Sequence, residues 1–134
     1  MKKIKATLKG IPLTIHVAVS EHERAHGYHL VKIVDGEGML FELPTTRWIP
    51  LSVEGLNKKL DAVGIYKGKV YTVLQRIKDG SMVAPSVYGE ALLELPAGFV
   101  EKNGIVQGDK FIMERPPAEE PKKVKWDAKK TQKV

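Results

Sequence analysis

Residues 11–19 have the most regular pattern in the chain, because every second residue in this segment is a branched aliphatic one. An alternation of period two places these side chains on one face and predicts a β-strand. Residues 4–8 predict a shorter strand, and Lys9-Gly10 between the two predicts a β-hairpin. Pro12 favours the start of a strand or the edge of a sheet.

Short apolar runs bounded by turn residues predict further strands in the first half of the chain, at residues 30–34, 39–43 and 51–53. The turn residues Asp35-Gly36-Glu37-Gly38 precede the second of these runs. That strand is predicted to end at Pro44-Thr45-Thr46, since proline has no N–H group for a strand ladder.

Residues 60–66 and 69–77 predict two longer strands that are joined as a hairpin. Gly68 supplies the positive φ that the tight turn between them requires. Asp79-Gly80 ends the second strand, and residues 82–89, which include Pro85, are predicted to form a loop.

The closing segment, residues 91–114, is predicted to form a flap over the core. Its first five residues predict a strand that Pro96 ends. Residues 97–103 predict a short helix, with Pro96 at the first helical position and Gly104 as the left-handed residue after its end. A last strand over residues 110–113 places Phe111 and Met113 on one face. A helix this short is marginal alone in water, so it must pack against a sheet.

Ser20 and Glu23 fit a capping box, which predicts a helix over residues 21–26 that Gly27 ends. His22 and His26 would share one face of this helix, and His29 follows closely. The functional interpretation of these histidines is a metal site. The favoured interpretation is that they are solvated, because Gly27 should turn His29 away from the helical face and no cysteine supports a metal site.

Together these elements predict a mainly β (α+β) fold, a single compact barrel-like or sandwich domain of about seven or eight short strands and two short helices. A chain of 134 residues is long enough for one continuous core. We expect residues 1–115 to form this domain and residues 116–134 to be a flexible basic tail rich in proline and lysine.

The chain contains no cysteine, which excludes disulfides, thiolate metal sites and thiol catalysis. Its first residues are basic but lack the apolar middle of a signal peptide. No apolar stretch approaches the roughly 20 residues that span a bilayer. We therefore expect a soluble cytoplasmic protein without membrane contact.

The net charge of +6 is concentrated at the two ends of the chain. Residues 1–10 contain four lysines and no acidic residue, and residues 116–134 contain six lysines and three acidic residues. The remaining residues contain 12 basic and 13 acidic side chains, so the predicted domain is almost neutral. The tail is interpreted as a solubilising terminus, with weak polyanion contact as the alternative.

The chain resembles the domain-of-unknown-function family 192 over residues 14–114. That family's pattern combines a short Glu-Arg helix ending in glycine, a Gly-Met-Leu-Phe strand, a Leu-Asp pair and a closing Leu-Glu-Leu-Pro-Ala-Gly segment. The matching positions are Glu23-Arg24, Gly27, residues 38–41, Leu60-Asp61, residues 93–98, Gly104-Ile105 and Gly108-Asp109. The resemblance implies a small, mostly β, barrel-like fold and no established reaction.

The chain departs from the family pattern in its middle. Residues 52–55 replace the tryptophan-methionine-asparagine segment, and Lys59 replaces a proline. The arginine that usually follows the first helix falls near Val31 or Lys32. A polar site shared by the family would therefore be partly lost here.

Three residues are candidates for a binding site: Arg24, Asp61 and Glu94. Asp61 and Glu94 are acidic residues within apolar strands, and the functional interpretation is a carboxylate pair in a pocket, one with a raised pKa. The favoured interpretation is that each faces water or accepts backbone hydrogen bonds. Arg24 is expected to pair with an acidic residue near its helix. Neither a cofactor nor a catalytic residue is predicted.

Two tryptophans could stack on a base or a sugar. Trp48 stands beside Ile49 and close to Leu51, which favours a core position for it. Trp126 lies in the predicted tail.

The sequence therefore favours a non-catalytic binding or accessory module for an unknown small ligand or protein. The first alternative is a DNA-binding regulator, since residues 96–111 also resemble the strand-helix-strand of AbrB-type swapped-hairpin transcription factors. Those units are much shorter and carry basic residues on their DNA-facing loops. The second alternative is a metal-dependent hydrolase that uses His22, His26 and an acidic residue.

Overall fold

The computed structural model describes residues 1–20, 22–23, 33–51, 59–77 and 86–114. These residues form seven strands and one short helix. The elements are β1 (Lys2–Leu8), β2 (Ile11–Ala18), β3 (Glu37–Pro50), β4 (Leu60–Tyr66), β5 (Lys69–Ile77), β6 (Ser86–Pro96), α1 (Phe99–Asn103) and β7 (Phe111–Glu114).

The strands form one curled sheet in the order β5-β4-β6-β3-β2-β1-β7. Only the β2–β3 pair is parallel among these described strands. The two edge strands meet at one end, where Val70 N donates to Asp109 O at 2.9 Å and Phe111 N donates to Gly68 O at 2.8 Å. The sheet is therefore a half-barrel whose edges are joined at that end, and the predicted mainly β, barrel-like fold is confirmed.

One face of the sheet carries the main core, which we call the inner cluster. Every strand contributes to it, and so does the closing segment. Its buried members are Ala6, Leu8, Leu13, Ile15, Val17, Leu40, Val63, Ile65, Val70, Ala91, Leu93, Leu95, Val100, Ile105 and Phe111. Because Val100 of α1 and Phe111 of β7 belong to it, residues 91–114 pack on the core as the predicted flap does.

A second core, the outer cluster, lies on the opposite face of the central strands. Its buried members are Ala18, Met39, Phe41, Ile49, Leu51, Leu60, Ala62, Ile77, Val87 and Leu92. Neighbouring residues in a strand point to opposite faces, and Ala62 and Val63 accordingly belong to different clusters. Strand β4 is thus buried on both faces, which explains why its sequence is almost entirely apolar.

Strand β3 does not end at Pro44-Thr45-Thr46, and this prediction is wrong. Its pairing with β6 shifts register between Glu42 and Arg47 and then resumes as far as Pro50. Pro44 stands inside this irregularity, where the missing N–H group removes no ladder hydrogen bond. The resumed pairing also means that residues 86–89 are strand, so the loop predicted over residues 82–89 is wrong in that part.

The resumed part of the β3–β6 pair, residues 47–50 with residues 86–89, is here called the arm. It lies against β4 so closely that a Cβ atom on Gly89 would be 2.5 Å from the carbonyl oxygen of Ile65. A Cβ atom on Gly64 would overlap the carbonyl oxygen of Tyr88. Thr72 Oγ1 also accepts a hydrogen bond from Tyr88 N at 2.8 Å and donates one to Tyr88 O at 3.2 Å. These contacts fix the arm on β4 and β5.

The two predicted hairpins are confirmed. Lys9 and Gly10 have φ values of 53° and 78°, and Lys67 and Gly68 have φ values of 51° and 74°. Positive φ at both central residues matches the twist of the flanking strands.

The helix of the closing segment is shorter than predicted. Pro96 is the last residue of β6 rather than the first of α1, and Gly98 with φ 94° precedes the helix. The predicted helix stop is confirmed, since Gly104 is left-handed with φ 61°. In β7, Phe111 is buried and Met113 is partly buried, as the alternation predicts.

The capping box is confirmed by its hydrogen bonds. Glu23 N donates to Ser20 Oγ at 3.1 Å, and Ser20 N donates to Glu23 Oε1 at 3.2 Å. Most of the helix predicted over residues 21–26, and most of the strands predicted at 30–34 and 51–53, lie outside the described residues. Within the described ranges, no helix has the length and hydrophobicity needed to cross a membrane.

Candidate functional site

Asp61 is a fully buried carboxylate whose described partners are all backbone amides. Its Oδ2 accepts hydrogen bonds from Gly98 N at 3.1 Å and Val100 N at 2.9 Å, at the start of α1. Gly98 has no side chain that could cap this helix, so the carboxylate from β4 caps it instead. The geometry agrees with the interpretation that this carboxylate accepts backbone hydrogen bonds.

The other oxygen of Asp61 serves a bulge in β5. Between Leu60 and Ala62 the register with β5 shifts, and Arg76 has a φ of 51° there. Arg76 N donates to Asp61 Oδ1 at 2.9 Å. A bulged residue loses its ladder partner, and here the carboxylate replaces that partner. Asp61 therefore joins β4, β5 and α1.

Glu94 is also buried, with 6% of its surface exposed, but its surroundings are apolar. It stands opposite Met39 of β3 and Ala62 of β4, both of which belong to the outer cluster. Its Oε1 has no hydrogen-bond partner among the described residues. Burial raises the pKa of Glu94 to about 7 because the charged form is poorly solvated there.

The register shows that Asp61 and Glu94 point to opposite faces of the sheet. Asp61 is paired with Leu95 of the inner cluster, whereas Glu94 is paired with Ala62 of the outer cluster. The structure thus does not bring the two carboxylates into one pocket. Arg24, the third candidate, lies outside the described residues.

His16 is a buried polar residue that the sequence reasoning did not select. It is paired with Met39, so it lies on the same face as Glu94 with one strand between them. Its Nε2 is 3.3 Å from Glu37 Oε1, which is within ion-pair range, but the two groups are not aligned as a hydrogen bond. The sequence feature that could have identified His16 is its place among the polar positions of the alternating strand β2.

The histidine metal site, which was the less favoured interpretation of the sequence, has only one member in the described part of the chain, the exposed His22. His26 and His29 lie outside it. Among the described residues, no three histidine or acidic side chains form a group suited to a metal ion.

Four aromatic side chains meet at the surface and form what we call the aromatic patch: Trp48, Tyr66, Tyr71 and Tyr88. Tyr88 has its ring centroid 5.6 Å from that of Trp48 and 5.1 Å from that of Tyr71. Tyr66 is 6.1 Å from Tyr71 and 6.3 Å from Tyr88. Trp48 is 58% exposed and Tyr71 is 43% exposed, so the patch is open to solvent.

The exposure of Trp48 corrects the prediction that this residue belongs to the core. In the arm, Ile49 is the residue that points into the outer cluster, and its neighbour Trp48 points the other way. Trp48 and Tyr88 are a cross-strand pair of the arm. Tyr66 and Tyr71 belong to the β4–β5 hairpin, so the patch exists only because the arm lies against that hairpin.

A basic groove, here called the lysine groove, adjoins the aromatic patch. It has a volume of about 440 Å³ and is lined by Lys67, Lys69 and Lys110 together with the start of β7. Lys69 and Lys110 face each other as a β-bridge between the edges of the sheet. The Lys67 Nζ atom lies 5.2 Å from the Tyr66 ring centroid, which connects the groove to the patch.

These observations define a small half-barrel with a glycine-supported arm and an aromatic surface patch. The chain belongs to the domain-of-unknown-function family DUF192, described as an uncharacterized ACR, whose model matches residues 4–113. The resemblance inferred from the sequence motifs is thereby confirmed.

Two solved structures are similar to this chain. A proposed transcription regulator from Sinorhizobium meliloti 1021 has a TM-score of 0.74 and 24% sequence identity, over 84% of this chain and 94% of that one. A protein of unknown function from Novosphingobium aromaticivorans DSM 12444 has a TM-score of 0.71 and 20% identity, over 81% of this chain and 84% of that one. At these identities the likeness establishes the fold. No curated protein matches this chain.

Proposed function

We propose that this protein is a non-catalytic binding module and that its ligand binds at the aromatic patch. The observation that carries the proposal is the contact of four aromatic rings at the surface, with Trp48 58% exposed. Exposed apolar side chains that cluster on a folded surface are typical of interaction sites, whereas single exposed ones need no explanation. Aromatic rings bind flat or apolar groups well because they are rigid and lose little entropy.

The two predicted carboxylates do not form an acid–base pair among the described residues. A general acid or base must lie within hydrogen-bond reach of the substrate. Asp61 and Glu94 lie on opposite faces, and the Asp61 oxygens accept three backbone N–H groups. His22, which the hydrolase hypothesis needs, is solvent-exposed.

The swapped-hairpin alternative has little support from the topology. Residues 96–111 do connect a strand, a helix and a strand, but β7 pairs with β1 of the same chain and β6 pairs with β3 and β4. AbrB-type units exchange strands between two short chains. The likeness to a proposed transcription regulator concerns the fold, and it adds no argument for DNA binding here.

The proposal is tested by substituting Trp48 and screening for ligands. Thermal-shift measurements across nucleotides, oligosaccharides and peptides should identify at least one class that raises the melting temperature of the wild-type protein. Trp48→Ala should abolish that shift. Val106→Ala is the matched control, because Val106 is 57% exposed and is not part of the patch. A shift that Trp48→Ala and Tyr71→Ala both retain, or no shift with any class, contradicts the proposal.

A further inference from the structure

We propose that the aromatic patch and the lysine groove together bind single-stranded nucleic acid. This inference rests on the proposed function and names the class of ligand. The two surfaces are continuous, because Tyr66 belongs to the patch, Lys67 lines the groove, and the Lys67 ammonium lies over the Tyr66 ring. Single-strand binding sites combine these two features, a stacking platform and a positively charged groove.

The aromatic patch supplies surfaces on which bases can stack. Neighbouring ring centroids are 5.1 to 6.3 Å apart, and the two exposed rings, Trp48 and Tyr71, are the ones available to bases. The rings are carried by strands of the arm and of the β4–β5 hairpin, and Thr72 and Gly64 hold these elements together. A rigid platform loses little entropy on binding.

The lysine groove supplies the charge that phosphates require. Within the described ranges, none of its three lysines forms an ion pair with an acidic side chain. Glu90 and Asp109 are acidic residues beside the groove. Glu90 Oε1 accepts a hydrogen bond from Lys67 N at 2.9 Å, and Asp109 Oδ2 accepts one from Val106 N at 2.7 Å. Three lysines against these two carboxylates leave the groove with a net positive charge, although residues 11–115 are almost neutral.

This combination favours single strands over other ligands. In a duplex the faces of the bases are already stacked on each other, so aromatic side chains cannot reach them without opening the helix. A neutral oligosaccharide or an apolar peptide would use the aromatic patch but would gain nothing from the three lysines. DNA and RNA single strands share the chemistry that the site recognises, and both are included in the test.

The tail requires a control because it is also basic. Residues 116–134 carry six lysines and Trp126, which could attract any polyanion. The full-length chain allows a charge-matched comparison. Lys67→Gln, Lys69→Gln and Lys110→Gln remove three charges from the groove. Lys129→Gln, Lys130→Gln and Lys133→Gln remove three charges from the tail.

Fluorescence anisotropy with labelled 12-nucleotide DNA and RNA single strands, and with the same DNA as a duplex, measures the affinity at several salt concentrations. We expect the groove triple variant to bind about tenfold or more weakly and to have a shallower salt dependence. The Trp48→Ala/Tyr71→Ala variant should also bind about tenfold or more weakly, with an unchanged salt dependence. The tail triple variant should stay within about twofold of the wild type.

Several outcomes overturn the inference. These are equal affinity for duplex and single strand, loss of binding in the tail variant but not in the groove variant, and no binding of any oligonucleotide. If oligonucleotides fail while another ligand binds in a Trp48-dependent manner, the inference about nucleic acid fails and the proposed binding function stands. If no ligand depends on Trp48, both fail. Melting temperatures of all variants show whether each one is folded.

Discussion

Among the individual residues, Asp61 shows how a buried carboxylate can serve the fold. Its two oxygens accept three backbone N–H groups, one from the β5 bulge and two from the start of α1. Hydrogen bonds to a charged acceptor are stronger than neutral ones, and they compensate for the loss of hydration. An acidic residue in an apolar strand therefore need not indicate a ligand site.

Asp61→Ala should destabilise the protein by about 3 kcal/mol or more, because three buried donors lose their acceptor. Urea denaturation of the wild type and the variant measures this difference. Glu101→Ala is the control, since Glu101 forms an exposed ion pair with Arg76 and should cost less than about 1 kcal/mol. A similar loss in both variants would show that Asp61 does not have the proposed structural role.

Glu94 makes the stability depend on pH. Burial in the folded protein raises the pKa of Glu94 from its ordinary value of 4.5 to about 7. Well below pH 4.5 Glu94 is protonated in both the folded and the unfolded state, so its ionisation does not affect the stability. As the pH increases towards 7, the unfolded state ionises first, so the folded state loses stability. The loss is complete above the folded pKa and amounts to about 3 kcal/mol.

Glu94→Gln should remove this dependence. We expect the variant to be more stable than the wild type at pH 8, and we expect its advantage to shrink as the pH falls to 4.5. Denaturation curves at several pH values measure the difference. Glu114→Gln, at an exposed position of β7, should show no such trend. The reasoning fails if Glu94→Gln and the wild type keep the same stability difference at every pH.

Among the elements, the arm decides where the aromatic side chains lie. It lies against β4 and β5 at two glycines, and the Thr72 hydroxyl acts as a partner for the Tyr88 backbone. The nearest atom to a Cβ at either glycine is a backbone carbonyl oxygen rather than a movable side chain. The neighbouring backbone would therefore have to shift to accept alanine.

Gly64→Ala should displace the arm and destabilise the protein by about 2 kcal/mol or more. Thr72→Val, which keeps the shape but removes the hydroxyl, should cost about 1 to 2 kcal/mol. Thermal denaturation measures both, and Trp48 fluorescence in a Trp126→Phe background follows the arm. Unchanged Trp48 emission in Gly64→Ala would show that the glycine contact does not position the arm.

For the whole molecule, the two joined edges of the sheet explain why the flap belongs to the domain. Strand β7 pairs with β1 and contributes Phe111 to the inner cluster. Asp109, just before this strand, and Phe111 form the backbone hydrogen bonds with Val70 and Gly68. All described members of the two hydrophobic clusters precede residue 115, and we expect residues 116–134 to add nothing to them.

A chain that ends at residue 115 should therefore melt within roughly 2 °C of the full-length protein. A chain that ends at residue 110 loses β7 and should not fold cooperatively. Calorimetry of both truncated chains makes the comparison. A large loss of stability in the longer one would show that the predicted tail, residues 116–134, contributes to the folded domain.

Features that depend on neighbours in sequence were determined by the sequence alone. The hairpins at Lys9-Gly10 and Lys67-Gly68, the capping box, the left-handed Gly104 and the alternation in β7 were all predicted correctly. Turn conformation, helix capping and strand alternation are local, so a few adjacent residues specify them. The family motifs were recognised for the same reason.

Only the tertiary structure decided what covers each face of the sheet. The alternation of side chains gives the face of each residue only within its own strand. The register between β4 and β6 shows that Asp61 and Glu94 lie on opposite faces of the sheet. The same is true of Trp48, which is exposed because Ile49 takes the buried face of the arm. The aromatic patch and the lysine groove join residues far apart in sequence. Their formation depends on how the sheet curls, which no local pattern specifies.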